Sequence, residues 1–246
     1  MRASAELLTS IEGLYTAFSG YPLPKKMACC PCGCNRAEHS TVLYSKPLGA
    51  LQREELDYYA FCALTTMGVE SDFKHFLPRL FELSVAVSAP EQLRTDREIL
   101  FSKLAYGHWE TWPMSEKDAI RKFLDALWSC ILCDSWQGDE YSSETEEWIC
   151  SIAQVDDDIS PYLDKWNETE TLEAELCLAS LVSKSAVTHK RNAGRNAFWN
   201  RRDAQYEQLK NWVRSAAVAE KLERAALQWV DTKFHDEFVA ARNMLR

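Results

Sequence analysis

Four of the nine cysteines fall within six positions, in the segment Met27-Ala28-Cys29-Cys30-Pro31-Cys32-Gly33-Cys34, and His39 follows five residues later. Cysteine thiolates and histidine nitrogens are the ligands that zinc prefers, and thiols this crowded in a reducing compartment usually hold a metal. Within the segment, Pro31 restricts φ and Gly33 allows a tight turn to close. The spacing therefore predicts a small, irregular, zinc-knuckle-like segment over residues 27–40.

The sequence leaves the ligand set open. The candidate ligands are Cys29, Cys30, Cys32, Cys34 and His39. Four ligands from so short a segment would be cramped, so a distant Cys62 or His75 could complete the coordination sphere. A closed zinc site of this kind is structural and would fasten the segment onto the neighbouring helices. Two alternatives remain: free, half-buried thiols with no ligand, or a reversible disulfide with redox chemistry.

Composition and cysteine usage indicate a cytoplasmic protein. The chain has 246 residues, 46% of them hydrophobic, which is enough for a sizeable core. Its nine cysteines are an odd number and lack the spacing of a secreted disulfide framework. The first six residues contain no apolar core of a signal peptide, and no apolar run approaches the ~18 residues of a membrane span. We therefore expect reduced or metal-bound thiols and no membrane partner.

Hydrophobic periodicity near 3.6 residues predicts helices along almost the whole chain. The predicted helical stretches are 7–18, 51–67, 72–85, 93–106, 118–132, 146–155, 162–166, 172–182, 198–213, 217–229 and 234–245. Alternating, turn-bounded runs typical of β-hairpins are absent from the sequence. The fold class is therefore predicted to be all-α, either a multi-helix bundle or stacked antiparallel helix pairs, possibly HEAT-like.

The predicted organisation has two helical regions that form one compact unit. Residues 1–138 make an N-terminal region that includes the Cys-rich segment, and residues 139–246 make a C-terminal region. The polar loop at 138–143 is the expected seam between them.

Charge is distributed unevenly along the chain. The net charge of −9 argues against broad, non-specific nucleic-acid binding. Residues 134–175 contain fourteen acidic side chains and a single basic one, Lys165, whereas residues 184–202 contain six basic side chains and no acidic one. Basic and aromatic side chains together can bind phosphates and stack on bases. The candidate contacts for nucleic acid or another partner are Lys190, Arg191, Arg195, Trp199, Arg201 and Arg202. The alternative is a loop and helix start held by the acidic stretch upstream.

One part of the sequence resembles a family of uncharacterised bacterial proteins. The likeness covers residues 27–130. It consists of a Cys-rich segment, then the motif Tyr59-Ala60…Thr65-Thr66-Met67-Gly68, and then the motif Asp72-Phe73-Lys74-His75-Phe76-Leu77-Pro78-Arg79. Met67 stands where tryptophan is common in that family. The resemblance implies a bacterial, intracellular, helical protein, and it carries no activity to transfer.

No catalytic motif stands out in the sequence. It contains no Gly-x-Ser-x-Gly, Walker A loop, dinucleotide-binding fingerprint or His-Glu-x-x-His. We therefore expect a non-catalytic protein that binds another protein, such as an immunity protein, an antitoxin or a subunit of a defence system, with a structural zinc site. The first alternative is nucleic-acid binding through residues 184–202. The second is a cysteine-dependent enzyme or redox protein.

Overall fold

A computed structural model describes residues 4–31, 37–85, 92–134, 144–188 and 195–246. The prediction of an all-α protein is confirmed, because 71% of the chain is helical and the described part contains twelve α-helices and no strand. The helices are α1 (Ala5–Ala17), α2 (Ala37–Leu43), α3 (Arg53–Cys62), α4 (Glu70–Ser84), α5 (Arg97–Tyr106), α6 (Met114–Asp134), α7 (Glu144–Ala153), α8 (Ser160–Glu168), α9 (Leu172–Lys184), α10 (Asp203–Val213), α11 (Ala216–Gln228) and α12 (His235–Met244).

The chain divides into two compact units, an N-terminal unit up to Leu127 and a C-terminal unit from Trp128. The division therefore falls inside α6. The seam expected from the sequence, at 138–143, lies outside the described residues.

The N-terminal unit has an aromatic core. α1 packs on α4, α2 packs on α3, and α3 also contacts α4 and α5. Phe81 stacks on Phe101 with ring centroids 5.0 Å apart and contacts Phe123 at 5.1 Å. All three side chains are fully buried, and burying each one contributes about 1.5–3 kcal/mol relative to exposure.

The C-terminal unit is organised around α9, which α7, α11 and α12 contact, while α8 packs against α10 and α11. Buried tryptophans tie these helices together through their indole N–H groups. Trp128 donates to the carbonyl of Tyr162 at 2.8 Å, and Trp166 donates to the carbonyl of Ala174 at 2.9 Å. Each indole thereby keeps its polar group satisfied inside an apolar core.

Several helix ends differ from the sequence-based prediction, and two of them have a clear local cause. α3 ends at Cys62 rather than near residue 67, because the amides of Thr65, Thr66 and Met67 all turn back onto the carbonyl of Cys62. α4 begins at Glu70 rather than at residue 72, and Val69 is its N-cap residue. The carboxylate of Asp72 accepts the amide of Val69 at 2.9 Å, which satisfies one of the free amides at the start of the helix.

Among the described residues, none of the helices combines the length and apolar character that crossing a membrane requires.

Candidate functional site

The start of the Cys-rich segment is held against the turn between α3 and α4. The amide of Gly68 donates to the carbonyl of Ala28 at 2.7 Å, and the amide of Cys30 donates to the carbonyl of Thr66 at 2.8 Å. These two bonds form a short antiparallel bridge between Cys29 and Met67. Residues 28–30 therefore have a defined place on the N-terminal unit, beside what we call the 63–68 turn.

The predicted zinc ligands are only partly described. Cys29 is exposed and Cys30 is half-buried, while Cys32 and Cys34 lie outside the described residues. The ring of His39 packs on Tyr58 with centroids 3.7 Å apart, and its buried Nδ1 has no hydrogen-bond partner among the described residues. Within the described ranges, no three His, Cys, Asp or Glu side chains are grouped so that they could hold a metal ion. The zinc site therefore stays a prediction.

The two distant ligand candidates have local roles in the structure. Cys62 is buried next to Lys103, whose Nζ donates to the carbonyl of Phe61 at 2.7 Å. Burial lowers the pKa of Lys103, and Cys62 acts in the opposite direction. His75 has its Nδ1 2.8 Å from the carbonyl of Tyr21. Neither side chain is part of a metal-binding group among the residues that the structure describes.

A polar cluster lies next to the 63–68 turn, and we call it the Tyr59 cluster: Tyr44, Tyr59, Gly68 and Asp72. Tyr59 is 1% exposed, and its hydroxyl makes no hydrogen bond to a residue that the structure describes. Burial, then the charges of Asp72 and Tyr44, raise the pKa of Tyr59 well above its usual value. Burial raises the pKa of Tyr44, a hydrogen bond with the backbone of Met27 lowers it, and Asp72 and Cys29 act in the same direction as burial, so the net shift is upward.

A buried ion pair joins α4 to the start of α6. Lys74 and Glu116 are each 4% exposed, and Nζ of Lys74 lies 3.0 Å from Oε2 of Glu116 and 2.9 Å from Oε1 of Glu70. The hydroxyl of Tyr21 donates to Oε1 of Glu116 at 2.6 Å, and Lys74 lies 4.2 Å from the ring centroid of Trp112. Sequence analysis missed the pair of Lys74 and Glu116. The only signal in the sequence was the i, i+4 spacing of Glu70 and Lys74, and that spacing does not point to Glu116.

The basic segment is largely engaged within the C-terminal unit. Trp199 is fully buried and its indole donates to Glu146 at 3.2 Å. Arg195 pairs with Asp203 at 2.8 Å and lies 4.3 Å from the ring centroid of Tyr206.

Arg202 pairs with Asp157 at 2.8 Å and donates to the carbonyl of Gln154 at 2.6 Å. Arg201 is exposed, and Lys190 and Arg191 lie outside the described residues. Acidic side chains between residues 134 and 175 thus hold part of the basic segment 184–202. This agrees with the interpretation of that segment as a loop and helix start held by the acidic stretch upstream. Trp199 is not available to stack on a base in this conformation.

Acidic side chains with no salt bridge are concentrated around the turn from α8 to α9. We call this surface the acidic patch and define it as Asp164, Glu168, Glu170 and Glu173. The first three are exposed and Glu173 is half-buried, and none of the four makes a salt bridge to a described residue. The unit that carries the patch has 21 acidic and 14 basic residues. The only cation within α8, Lys165, donates to the hydroxyl of Ser129 at 2.8 Å.

Comparisons with known proteins found no matching family model, no matching curated protein and no matching solved structure. The resemblance of residues 27–130 to uncharacterised bacterial proteins therefore stays a prediction from the motifs alone.

Proposed function

We propose that this protein works by binding a basic protein partner, without catalysing a reaction, and that the acidic patch makes the contact. The observation that carries the proposal is that the patch concentrates negative charge and makes no salt bridge to a described residue. The buried ammonium of Lys221, which donates to the carbonyls of Asn167 and Thr169, interacts electrostatically with Glu170 alone among the four. Asp164 and Glu168 are one helical turn apart, and like charges at that spacing weaken a helix by about 0.2–0.5 kcal/mol. A basic partner would relieve this repulsion on binding.

The chemistry of the patch favours a role in recognition. Exposed charges of one sign steer a partner of the opposite sign and exclude partners of the same sign, and this effect weakens with salt. An immunity protein or an antitoxin that masks a basic toxin would use such a surface. A subunit of a defence system that docks on a basic component would use it in the same way.

The first test neutralises the patch. We expect the variant Asp164→Asn/Glu168→Gln/Glu170→Gln/Glu173→Gln to lose about tenfold in affinity for its partner at low salt, because four favourable charge contacts disappear. The measurement is co-purification from the native host, followed by titration of the recovered partner against both forms of the protein.

The matched control removes four exposed acidic side chains elsewhere, in Glu6→Gln/Glu12→Gln/Glu220→Gln/Asp231→Asn, and so changes the net charge by the same amount. The control variant is expected to bind as the unmodified protein does. Equal losses in both variants would mean that net charge and not the acidic patch attracts the partner. Recovery of the chain alone, in repeated purifications at low salt, would argue against the proposed function itself.

We also propose that the Cys-rich segment binds one structural zinc ion. Two observations support this proposal: the segment is anchored at residues 28–30, and the buried Nδ1 of His39 has no partner among the described residues. An imidazole nitrogen of this kind is a common zinc ligand. Cys32 and Cys34 enter the proposal through their spacing in the sequence.

For this site we expect about one zinc per chain in protein purified without chelator, and EDTA should lower the Tm by about 5 °C or more, because structural zinc contributes directly to folding. Elemental analysis and thermal unfolding measure the two effects. Cys34→Ser should abolish zinc binding, whereas Cys177→Ser, at a fully buried position on α9, should leave the zinc content unchanged. Metal-free protein with a Tm insensitive to EDTA would contradict the proposal.

A further inference from the structure

The acidic patch lies where the local energetics of a helix disfavour negative charge. Glu168 is the last residue of α8, and Glu170 follows it in the turn to α9. The carboxyl end of a helix carries a partial negative charge, so acidic side chains there destabilise the helix. Asp164, one turn before Glu168, adds a repulsion between like charges. An arrangement of this kind requires compensation from another part of the fold.

A buried lysine of α11 provides this compensation. Lys221 is 1% exposed, and its Nζ donates to the carbonyl of Asn167 at 3.1 Å and to the carbonyl of Thr169 at 2.6 Å. Carbonyls at the end of a helix lack partners within it, and a cation at that end interacts favourably with the helix dipole. One side chain from a different helix thus holds the backbone on both sides of Glu168.

The start of α9, on the other side of the turn, is held as well. Trp229 is the C-cap residue of α11, and its Nε1 donates to Oε2 of Glu175 in the first turn of α9 at 2.5 Å. Thr171 is the N-cap residue of α9, and its hydroxyl accepts the amide of Ala174 at 3.1 Å. The turn that carries the acidic patch is therefore fixed to α11 from both sides.

We propose that Lys221 is a positioning residue for the acidic patch: by holding the carbonyls on both sides of Glu168, it fixes the turn that presents Glu168 and Glu170 to a basic partner. The inference rests on the proposed function, because it assigns a further residue to the same surface. A turn that is fixed before binding spares the complex the entropic cost of ordering it. Lys221 itself is buried and does not touch the partner.

Lys221→Met tests the proposal, because methionine has a similar volume and cannot donate to the two carbonyls. Charge and geometry predict opposite results for a cationic probe, an oligolysine peptide. Removing a cation near the patch makes the surface more negative, which by charge alone strengthens the binding of oligolysine. If Lys221 positions the patch, the variant binds oligolysine about fivefold more weakly at low salt, because the turn must then be ordered on binding. Binding as tight as that of the unmodified protein, or tighter, would overturn the proposal.

Lys74→Met is the matched control, since it also replaces a buried lysine with methionine but lies in the N-terminal unit. At a temperature where every form is folded, we expect it to bind oligolysine as the unmodified protein does. An equal loss in both variants would trace the effect to lower stability and would overturn the proposal. If Lys221→Met does not fold, Lys221→Gln replaces it: glutamine keeps a donor but is too short to reach both carbonyls, and the same direction is expected.

Hydrogen exchange measures the turn without any partner. In Lys221→Met, the amides of Thr169 and Ala174, which mark the two sides of the turn, should exchange faster relative to the amides of α7. Unchanged exchange at both positions would show that the turn holds its shape without Lys221, and this result would also overturn the proposal.

The quadruple variant of the acidic patch separates this inference from the proposed function. We expect that variant to lose affinity for oligolysine as well. If it binds oligolysine as tightly as the unmodified protein does, the acidic patch is not the contact surface, and both proposals fail. If it loses affinity while Lys221→Met does not, the proposed function stands and only the role of Lys221 is refuted.

Discussion

Replacing Gly68 with alanine is expected to destabilise the protein by about 2 kcal/mol. Gly68 has φ of +77°, in the left-handed region that costs a residue with a side chain about 1–2 kcal/mol. The new methyl group would also lie 3.2 Å from the hydroxyl oxygen of Tyr59 and 3.3 Å from two side-chain atoms of Asp72. Both neighbours are buried, so the crowding adds to the backbone strain.

Denaturant unfolding measures the effect, and Gly13→Ala is the matched control. Gly13 lies inside α1, nothing stands within 4 Å of the position of its Cβ, and alanine there should stabilise the protein by about 0.5–1 kcal/mol. The same substitution should therefore act in opposite directions at the two glycines. Gly68→Ala should also speed alkylation of Cys30, because the amide of Gly68 anchors the segment. A variant as stable as the unmodified protein would show that the 63–68 turn adapts without cost.

Lys74→Met is expected to destabilise the protein by about 3 kcal/mol. The substitution leaves the carboxylate of Glu116 buried without its cation, and an uncompensated buried charge costs about 3–5 kcal/mol. Methionine has a similar volume to lysine, so lost packing contributes little. The hydroxyl of Tyr21, which still donates to Glu116, offsets only part of the loss.

The double variant Lys74→Met/Glu116→Gln should recover at least about 1 kcal/mol, because no buried charge then remains. The control is Lys46→Met, which breaks a partly exposed salt bridge to Glu55 and should cost less than about 1 kcal/mol. A double variant less stable than Lys74→Met would show that the ion pair is not the source of the effect.

The pH dependence provides a second measurement on Lys74. Burial lowers its pKa, but hydrogen bonds to Glu70, Glu116 and Tyr21 outweigh burial, so the pKa is raised above 10.5. A raised pKa in the folded state means that the stabilisation is complete below pH 10.5 and is lost as the pH rises through the folded-state value. The difference between the unmodified protein and Lys74→Met should therefore shrink at strongly alkaline pH.

The sequence by itself determined most of the helical parts of the chain, although α2 lies partly in the segment that was predicted to be irregular. In α6 and α9, apolar residues recur at helical spacing over many turns, and a helix follows from that periodicity whatever it packs against. Helix ends were less predictable. The turn after Cys62 depends on three amides that share one carbonyl, and no periodic pattern encodes such an arrangement.

The candidate sites, like the helices, have some features that the sequence determined and others that only the tertiary structure determined. Composition identified the Cys-rich segment and the acidic and basic stretches, because these are properties of neighbouring residues. Only the tertiary structure determined that Lys74 meets Glu116, that Trp199 is buried against Glu146, and that Ala28 pairs with Gly68. These contacts join residues that are 40 or more positions apart, and helix packing, which local sequence patterns do not specify, brings them together.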